Sequence, residues 1–261
     1  MKRTPIAPNS SDFPTPFRHL LENAAVYDSS CSPEARVWFI DRDGGYYLKS
    51  APRGSLAREA ELGRYFHGKG LTAAVLDYCS EARDWLLTAR VVGEDCTYPL
   101  YLEDPKRLCD LLAVKLRELH ETEHDGCPVG DRMSEYLATV ACNYQKGLFD
   151  ASYLPESMRS MTADDAYSLV MQGRALFKGD SLLHGDYCLP NIMLDDWRFS
   201  GFIDLGSGGV GDRHVDLFWG VWTLAFNLKT PQYGSRFLDA YGRDRVNDDM
   251  LAVIAAAECF G

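Results

Sequence analysis

At 261 residues the chain has room for one large domain or two lobes with an ample core. Hydrophobic residues at 46% against charged residues at 25% give the balance of an ordinary globular protein, and no apolar run reaches the length of a membrane span. The net charge of -11 argues against nucleic acid or an anionic membrane as the main partner and is compatible with a cationic small substrate.

The N-terminal stretch is punctuated by Pro5, Pro8, Pro14 and Pro16 and lacks an apolar core, so no secretion signal is expected there. Eight cysteines are scattered without a C-x-x-C pair, which indicates neither a zinc site nor a disulfide framework and fits reduced thiols in a cytoplasm. Ala35 to Asp41 and Tyr46 to Ser50 read as strands around the turn Arg42-Asp43-Gly44-Gly45. A helical stripe then runs from Ser55 to His67, with Ser55 as its expected N-cap and Gly68 or Gly70 as its end. Thr72 to Tyr78 and Trp85 to Val92 look like further strands, and Gly93 to Thr97 like a linker.

After residue 104 the pattern becomes helical. Asp104-Pro105 opens a helix carrying Leu108, Leu111, Leu112, Leu116 and Leu119 on one side, and others are expected near 131–148, 163–177, 213–228, 231–241 and 246–259. Short strands interrupt them at Ser181–His184, Ile192–Leu194 and Ser200–Ile203, the last two joined by a turn at Asp195-Asp196. A β-rich lobe over 1–92 followed by an α-rich lobe over 93–261 is the expected organisation.

The stretch carrying most chemistry is His184-Gly185-Asp186-Tyr187-Cys188-Leu189-Pro190-Asn191, followed by Ile203-Asp204-Leu205-Gly206. Phosphoryl transfer from a nucleoside triphosphate needs a cation on the phosphates, hard oxygen ligands for Mg²⁺ and a group that aligns the acceptor hydroxyl. Asn191 and Asp204 are the candidate metal ligands, and Asp186, on a turn, is the candidate to orient the hydroxyl and take its proton late. Strand alternation puts Tyr47 and Lys49 on one face, and an inward lysine needs an anionic partner. Glu59 on the following helix is the best placed, with Glu61 second. The turn from Asp28 to Arg36 is rich in small residues and could wrap phosphate.

These residues amount to a family resemblance. LHGDYCLPNIMLDDWRFSGFIDLGSGGVGDRHVD, from Leu183 to Asp216, resembles the aminoglycoside phosphotransferases, most closely the aminoglycoside 3'-phosphotransferase branch, and weaker similarity covers nearly the whole chain. The resemblance implies an α+β, protein-kinase-like bilobal fold with a small β-rich N-lobe and a larger α-helical C-lobe. It implies transfer of the γ-phosphoryl of ATP or GTP, with Mg²⁺, to a hydroxyl of an aminoglycoside, the 3'-hydroxyl being expected.

Residue by residue, it makes Asp186 the catalytic aspartate, Asn191 and Asp204 the metal ligands, and Lys49 with Glu59 the phosphate-gripping pair. Tyr47 resembles the aromatic that stacks on the base. Ala89 and Val91 fall at the hinge whose backbone would bond it, and Ser32 resembles the serine of the phosphate-covering loop. Asp216 resembles a buried brace of the catalytic loop, and His184 an anchor of it. Aminoglycosides carry several ammonium groups, so Glu258, Glu156 and Asp150 are the candidate acceptor-binding carboxylates.

Three positions depart from the family pattern: Ser207 and Trp222 stand where arginines are usual, and Ala257 replaces one carboxylate of an acidic pair that precedes C-terminal aromatics. A cytoplasmic enzyme, a monomer or weak dimer without nucleic-acid or membrane partners, is the expectation. The alternatives are a kinase of another alcohol (choline, a sugar or a macrolide) and a non-catalytic nucleotide-binding pseudokinase.

Overall fold

The structure, a computed structural model, describes residues 3–31 and 33–261. Backbone packing divides the chain into two compact units. The first runs through Tyr98, past the boundary at 92 read from the sequence, and takes in Pro190–Gly206; the second comprises Pro99–Leu189 and Ser207–Gly261. Among the described residues, no helix is long and apolar enough to cross a membrane.

The first unit is built on a six-stranded antiparallel sheet. Its strands are β1 (Thr4–Ile6), β2 (Ala25–Asp28), β3 (Arg36–Asp41), β4 (Tyr46–Pro52), β5 (Val75–Ser80) and β6 (Arg83–Ala89), in spatial order β1-β2-β3-β4-β6-β5. The short helix α1 (Arg18–Leu21) and α2 (Ala57–Gly68) complete it. Both sheet faces are covered, which is why Trp38, Phe39 and Ile40 are buried in succession. One face packs Trp38, Ile40, Leu48, Trp85 and Leu87 under Phe13 and Phe17, with Trp38 and Trp85 stacked at 5.6 Å. The other packs Ala51 and Leu86 against Leu56 and Ala60 at the start of α2.

Two local expectations are corrected here. Ser55 does not cap α2: its hydroxyl bonds the Pro52 carbonyl at 2.6 Å, and α2 has no side-chain cap from Leu56, its N-cap residue. The carboxylate of buried Asp84, 28 residues further along the chain, instead accepts the Leu56 N–H at 2.9 Å together with the hydroxyls of Tyr78 and Ser80. The segment read as a linker contains β7 (Glu94–Asp95), paired with the strand Ile192–Asp195. Gly93 makes this approach possible: at φ +94° a Cβ there would lie 2.0 Å from the Leu194 carbonyl oxygen.

Ile192–Asp195 also forms a hairpin with Arg198–Phe202. Its turn is Asp196-Trp197, one residue later than expected, with both residues at positive φ as a two-residue type I′ turn requires. Sequence gave no hint of this, because tryptophan is a poor left-handed residue.

The second unit is mainly helical: α3 (Pro99–Leu102), α4 (Pro105–His120), α5 (Arg132–Gln145), α6 (Ala163–Gly173), α7 (His214–Leu228), α8 (Gly234–Gly242) and α9 (Asp248–Glu258). Side-chain caps start four of the long ones: Asp104 on Arg107 N–H, Asp131 on Ser134 N–H, a Thr162/Asp165 capping box, and Asn247 on the N–H groups of Asp249 and Met250. Met133, Val140, Val170, Val215 and Ile254 interdigitate in the core, and a two-stranded ribbon of Ser181–Leu183 with Gly209–Gly211 leads into the 184–191 segment.

Removing Asp84 would strand the buried Leu56 N–H and leave the part-buried hydroxyl bonds of Tyr78 and Ser80 unmade. Asp84→Ala is expected to lower stability by about 2–4 kcal/mol, read as a fall in the urea midpoint with unchanged slope.

Candidate active site

In the first unit, β3 and β4 pair so that Phe39 faces Tyr47 and Val37 faces Lys49, and alternation leaves Tyr47 and Lys49 on the α2 side of the sheet. Lys49 Nζ lies 2.8 Å from Glu59 Oε2 and 2.8 Å from Asp204 Oδ1. Burial alone would lower the ammonium's pKa, but the two carboxylates override it and hold Lys49 well above the ordinary lysine range. The lysine is therefore a fixed cation.

The 192–202 hairpin sets the metal-ligand candidates at its open end. Phe202 pairs with Ile192, and the Ile203 N–H donates to the Asn191 carbonyl at 3.0 Å, so Asn191 and Asp204 flank the same end of the ladder. Asp204 adopts φ +59°, a left-handed conformation that turns it out of the strand line. No cluster of three or more His, Cys, Asp or Glu side chains suited to a metal occurs among the described residues. One amide and one carboxylate are nonetheless a fitting donor set for Mg²⁺, which prefers hard oxygens and keeps most of its shell for phosphate and water.

The other nucleotide-side candidates are less uniform. The Tyr47 ring packs 5.1 Å from Phe39, and its hydroxyl accepts a bond from Arg3 Nη2 at 2.9 Å, a partner invisible in the sequence. The Ala89 N–H is taken by the Ala74 carbonyl at 2.9 Å, and the Val91 side chain is buried. Ser32 lies outside the described residues. Beside it, the loop is tied down by Ser30 N–H to Asp28 Oδ1 and Val37 N–H to Ser30 Oγ, each 2.9 Å.

In the second unit the loop bearing Asp186 is braced by Asp216, whose carboxylate accepts the N–H of His184 at 2.7 Å and of Gly185 at 2.8 Å. His184 is buried and accepts the Asp186 N–H on Nδ1 at 3.3 Å, an anchoring position. Gly185, at φ +83°, passes so close to Ser207 that a Cβ would lie 1.9 Å from its carbonyl oxygen, so only glycine fits. The Ser207 carbonyl in turn accepts Arg132 Nε at 3.0 Å, bringing a guanidinium from α5 to the position where the family pattern has an arginine of its own. Past Asp186, the Cys188 thiol bonds both the Asp186 carboxylate and Thr223, and burial raises its pKa strongly. Thr223 Oγ1 also accepts the Leu189 N–H at 3.1 Å.

The acceptor-binding candidates separate. Glu258, on α9, is 6% exposed, and its carboxyl is bonded by the Tyr136 hydroxyl at 2.7 Å and by the Trp219 indole. Asp150 is exposed; its carboxylate caps a 3-10 turn through the Ser152 N–H at 2.8 Å, while its own N–H holds the Cys259 carbonyl at 2.8 Å. Glu156 is exposed at the start of the next 3-10 turn. Sequence reasoning missed Tyr136 and Trp219, because a tyrosine and a tryptophan on separate helices carry no local sign of a shared partner.

Comparison with known proteins places this geometry. The model of the phosphotransferase enzyme family matches residues 32–252, and the chain belongs to that family, among the aminoglycoside phosphotransferases. A protein of Lactococcus lactis subsp. lactis (strain IL1403), named a probable aminoglycoside 3'-phosphotransferase, is 47% identical over 254 residues, 97% of each chain. An aminoglycoside 3'-phosphotransferase of Niallia circulans is 29% identical over 210 residues, 78% of this chain and 79% of its own. Among solved structures, an aminoglycoside-3'-phosphotransferase of type VIII superposes with a TM-score of 0.74 at 24% identity, over 93% of this chain and all of its own. The Streptomyces rimosus phosphotransferase APH(3'')-Id, in complex with ADP and streptomycin, superposes at 0.68 with 23% identity, over 86% and 90%. The fold is thus the α+β fold of these kinase-like enzymes.

Burial pushes the Glu258 pKa from its ordinary 4.5 up to about 7, against the two hydrogen bonds to it. The folded chain therefore binds this proton more tightly than the unfolded chain. Its stabilising contribution is complete below about pH 4.5 and is lost as pH rises through about 7. Relative to Glu258→Gln, the wild type should lose about 3 kcal/mol of stability between pH 4.5 and 8, measured by paired urea titrations.

Proposed function

We propose that the chain transfers the γ-phosphoryl group of ATP or GTP to a hydroxyl of an aminoglycoside, the 3'-hydroxyl, and so confers resistance to the drug. The observation carrying this reading is Lys49 held at 2.8 Å from both Glu59 and Asp204, the cation and carboxylate a triphosphate needs, in a chain 47% identical to a probable aminoglycoside 3'-phosphotransferase. The shared acceptor is the simplest inference from that identity over 97% of both chains. The ADP present in the solved relative supports a nucleotide donor.

The residues divide the labour. Lys49 grips phosphate oxygens, with Glu59 keeping it extended and charged. Asn191 and Asp204 would hold Mg²⁺, which when bound neutralises charge on the transferring phosphoryl. Tyr47 offers a ring to the base and the Ala89 carbonyl a hydrogen-bond acceptor. Asp186, its loop fixed by Asp216, aligns the acceptor hydroxyl and receives its proton as the O–P bond forms. Exposed Asp150 and Glu156 provide negative charge for the acceptor's ammonium groups. The product carries new negative charge on a former polycation, which weakens recognition of anionic RNA. Eight free thiols fit a reducing cytoplasm, where the enzyme works as a monomer or weak dimer.

Purified protein with Mg²⁺, labelled ATP or GTP, and kanamycin, neomycin, choline and a macrolide tests the reading: label should pass to the aminoglycosides. Transfer to another alcohol alone would refute the acceptor assignment. Asp186→Ala should lower kcat about 100- to 10,000-fold while nucleotide affinity, read by calorimetry, stays within about twofold. Lys49→Ala should instead lower kcat/KM for the nucleotide by about 100-fold or more.

A further inference from the structure

The resemblance assigns amino-sugar recognition to the end of the chain, yet Glu258 and Phe260 are 6% and 1% exposed. Phe260 is enclosed by aromatic neighbours, with Phe149 at 5.4 Å and Tyr144 at 5.9 Å. Neither side chain presents a surface to a ligand the size of a sugar ring. The second unit carries another surface that does.

Tyr153, Trp219 and Trp222 form a closed triangle, with ring centroids 5.7, 5.4 and 5.8 Å apart. Phe226 extends it, stacked on Trp222 at 4.9 Å with planes 8° apart, and is 55% exposed. Spacings of three and four residues put Trp219, Trp222 and Phe226 on one face of α7. Core packing accounts for the inner side of the triangle, since Tyr153 and both tryptophans rest on the hydrophobic core while remaining half-buried. It does not account for the exposed remainder.

This surface adjoins the loop that carries Asp186. Thr223, the residue after Trp222, bonds the loop at Leu189 N–H and Cys188. Trp219 donates to Glu258. The Tyr153 phenol is raised in pKa first by burial and then by the carboxylates of Asp150, Glu258 and Asp186, so it lies within electrostatic reach of the catalytic aspartate. The chain itself shows that the surface accepts an ammonium: Lys229 Nζ sits 4.3 Å from the Phe226 ring centroid.

We propose that the Tyr153–Trp219–Trp222 triangle is the wall on which an amino-sugar ring of the acceptor rests, and that Trp222 sets which ring is accepted. The indole takes the C–H face of the sugar, its π-face attracts a ring ammonium, and the carboxylates around it supply the field that draws the cation in. A neutral indole at position 222 offers such a ring an attractive surface. This inference rests on the aminoglycoside reading.

Steady-state kinetics on the full chain with Mg²⁺, ATP and kanamycin or neomycin separate the two. Wild-type turnover of either drug is measured first: its absence overturns the aminoglycoside reading and the inference with it. Given turnover, Trp222→Ala should raise the acceptor KM about 5- to 20-fold, leave the nucleotide KM within about twofold, and change kcat little. Trp222→Phe should recover at least half of that loss on a logarithmic scale. An unchanged acceptor KM in Trp222→Ala, or equal changes in both KM values, would overturn the inference while leaving the aminoglycoside reading intact. Should Trp222→Ala fail to fold, acceptor-induced quenching of indole fluorescence decides. Most of it should disappear in Trp222→Phe and persist in Trp85→Phe, whose indole belongs to the first unit's core; the reverse pattern sinks the proposal.

Discussion

A carboxylate sealed from water must be satisfied by fixed donors, and the second unit is arranged around one such group. Asp216, fully buried, accepts the backbone N–H groups of the two residues before Asp186 and also meets His120 Nε2 at 3.3 Å. Burial lowers the His120 pKa, so the ring is neutral. Because Asp216 can only accept, the network assigns the ring proton to Nε2, and Nδ1 takes the Tyr241 hydroxyl at 2.8 Å. One charge thereby ties α4, α7 and α8 to the loop that carries Asp186.

Much of this was legible because the chemistry is local. The 184–191 spacing names a loop, and the two-residue period of a strand puts Lys49 beside Tyr47. A helix beginning at 57 brings Glu59 within 2.8 Å of the lysine, as an inward cation demands. The misreadings arose where partners are remote. Ser55 had the right residue type for a cap, but Asp84 reached the site from another strand and satisfied three donors. A two-residue strand has no period to detect, so β7 passed for a linker until Gly93 and Leu194 were seen in contact. The hairpin turn moved by one residue because strand pairing overrode the preference of Asp over Trp for positive φ.

The departures from the family pattern gain physical content from their surroundings. At Ser207 a guanidinium from α5, that of Arg132, 75 residues away in sequence, bonds the backbone carbonyl. At Trp222 the substitution belongs to a cluster in which each ring contacts two others, so it reads as part of a set and not as an isolated exchange. The lone carboxylate beside Ala257 is turned inward to Tyr136 and Trp219. Lys49, Glu59 and Asp204 in the first unit keep the family pattern; the three changes fall in the second unit.

The thiol two residues past Asp186 has a consequence for oxidative chemistry. Cys188 is half-buried, bonded to Asp186 and Thr223, and held toward the protonated thiol, whereas the thiolate is the form that oxidants and electrophiles attack. Exposed Cys31 and Cys142 stand open to the same reagents. Peroxide or an alkylating agent would therefore spend itself on peripheral sulfur first, and the reactive loop would stay chemically intact through an oxidative burst that marks the rest of the surface.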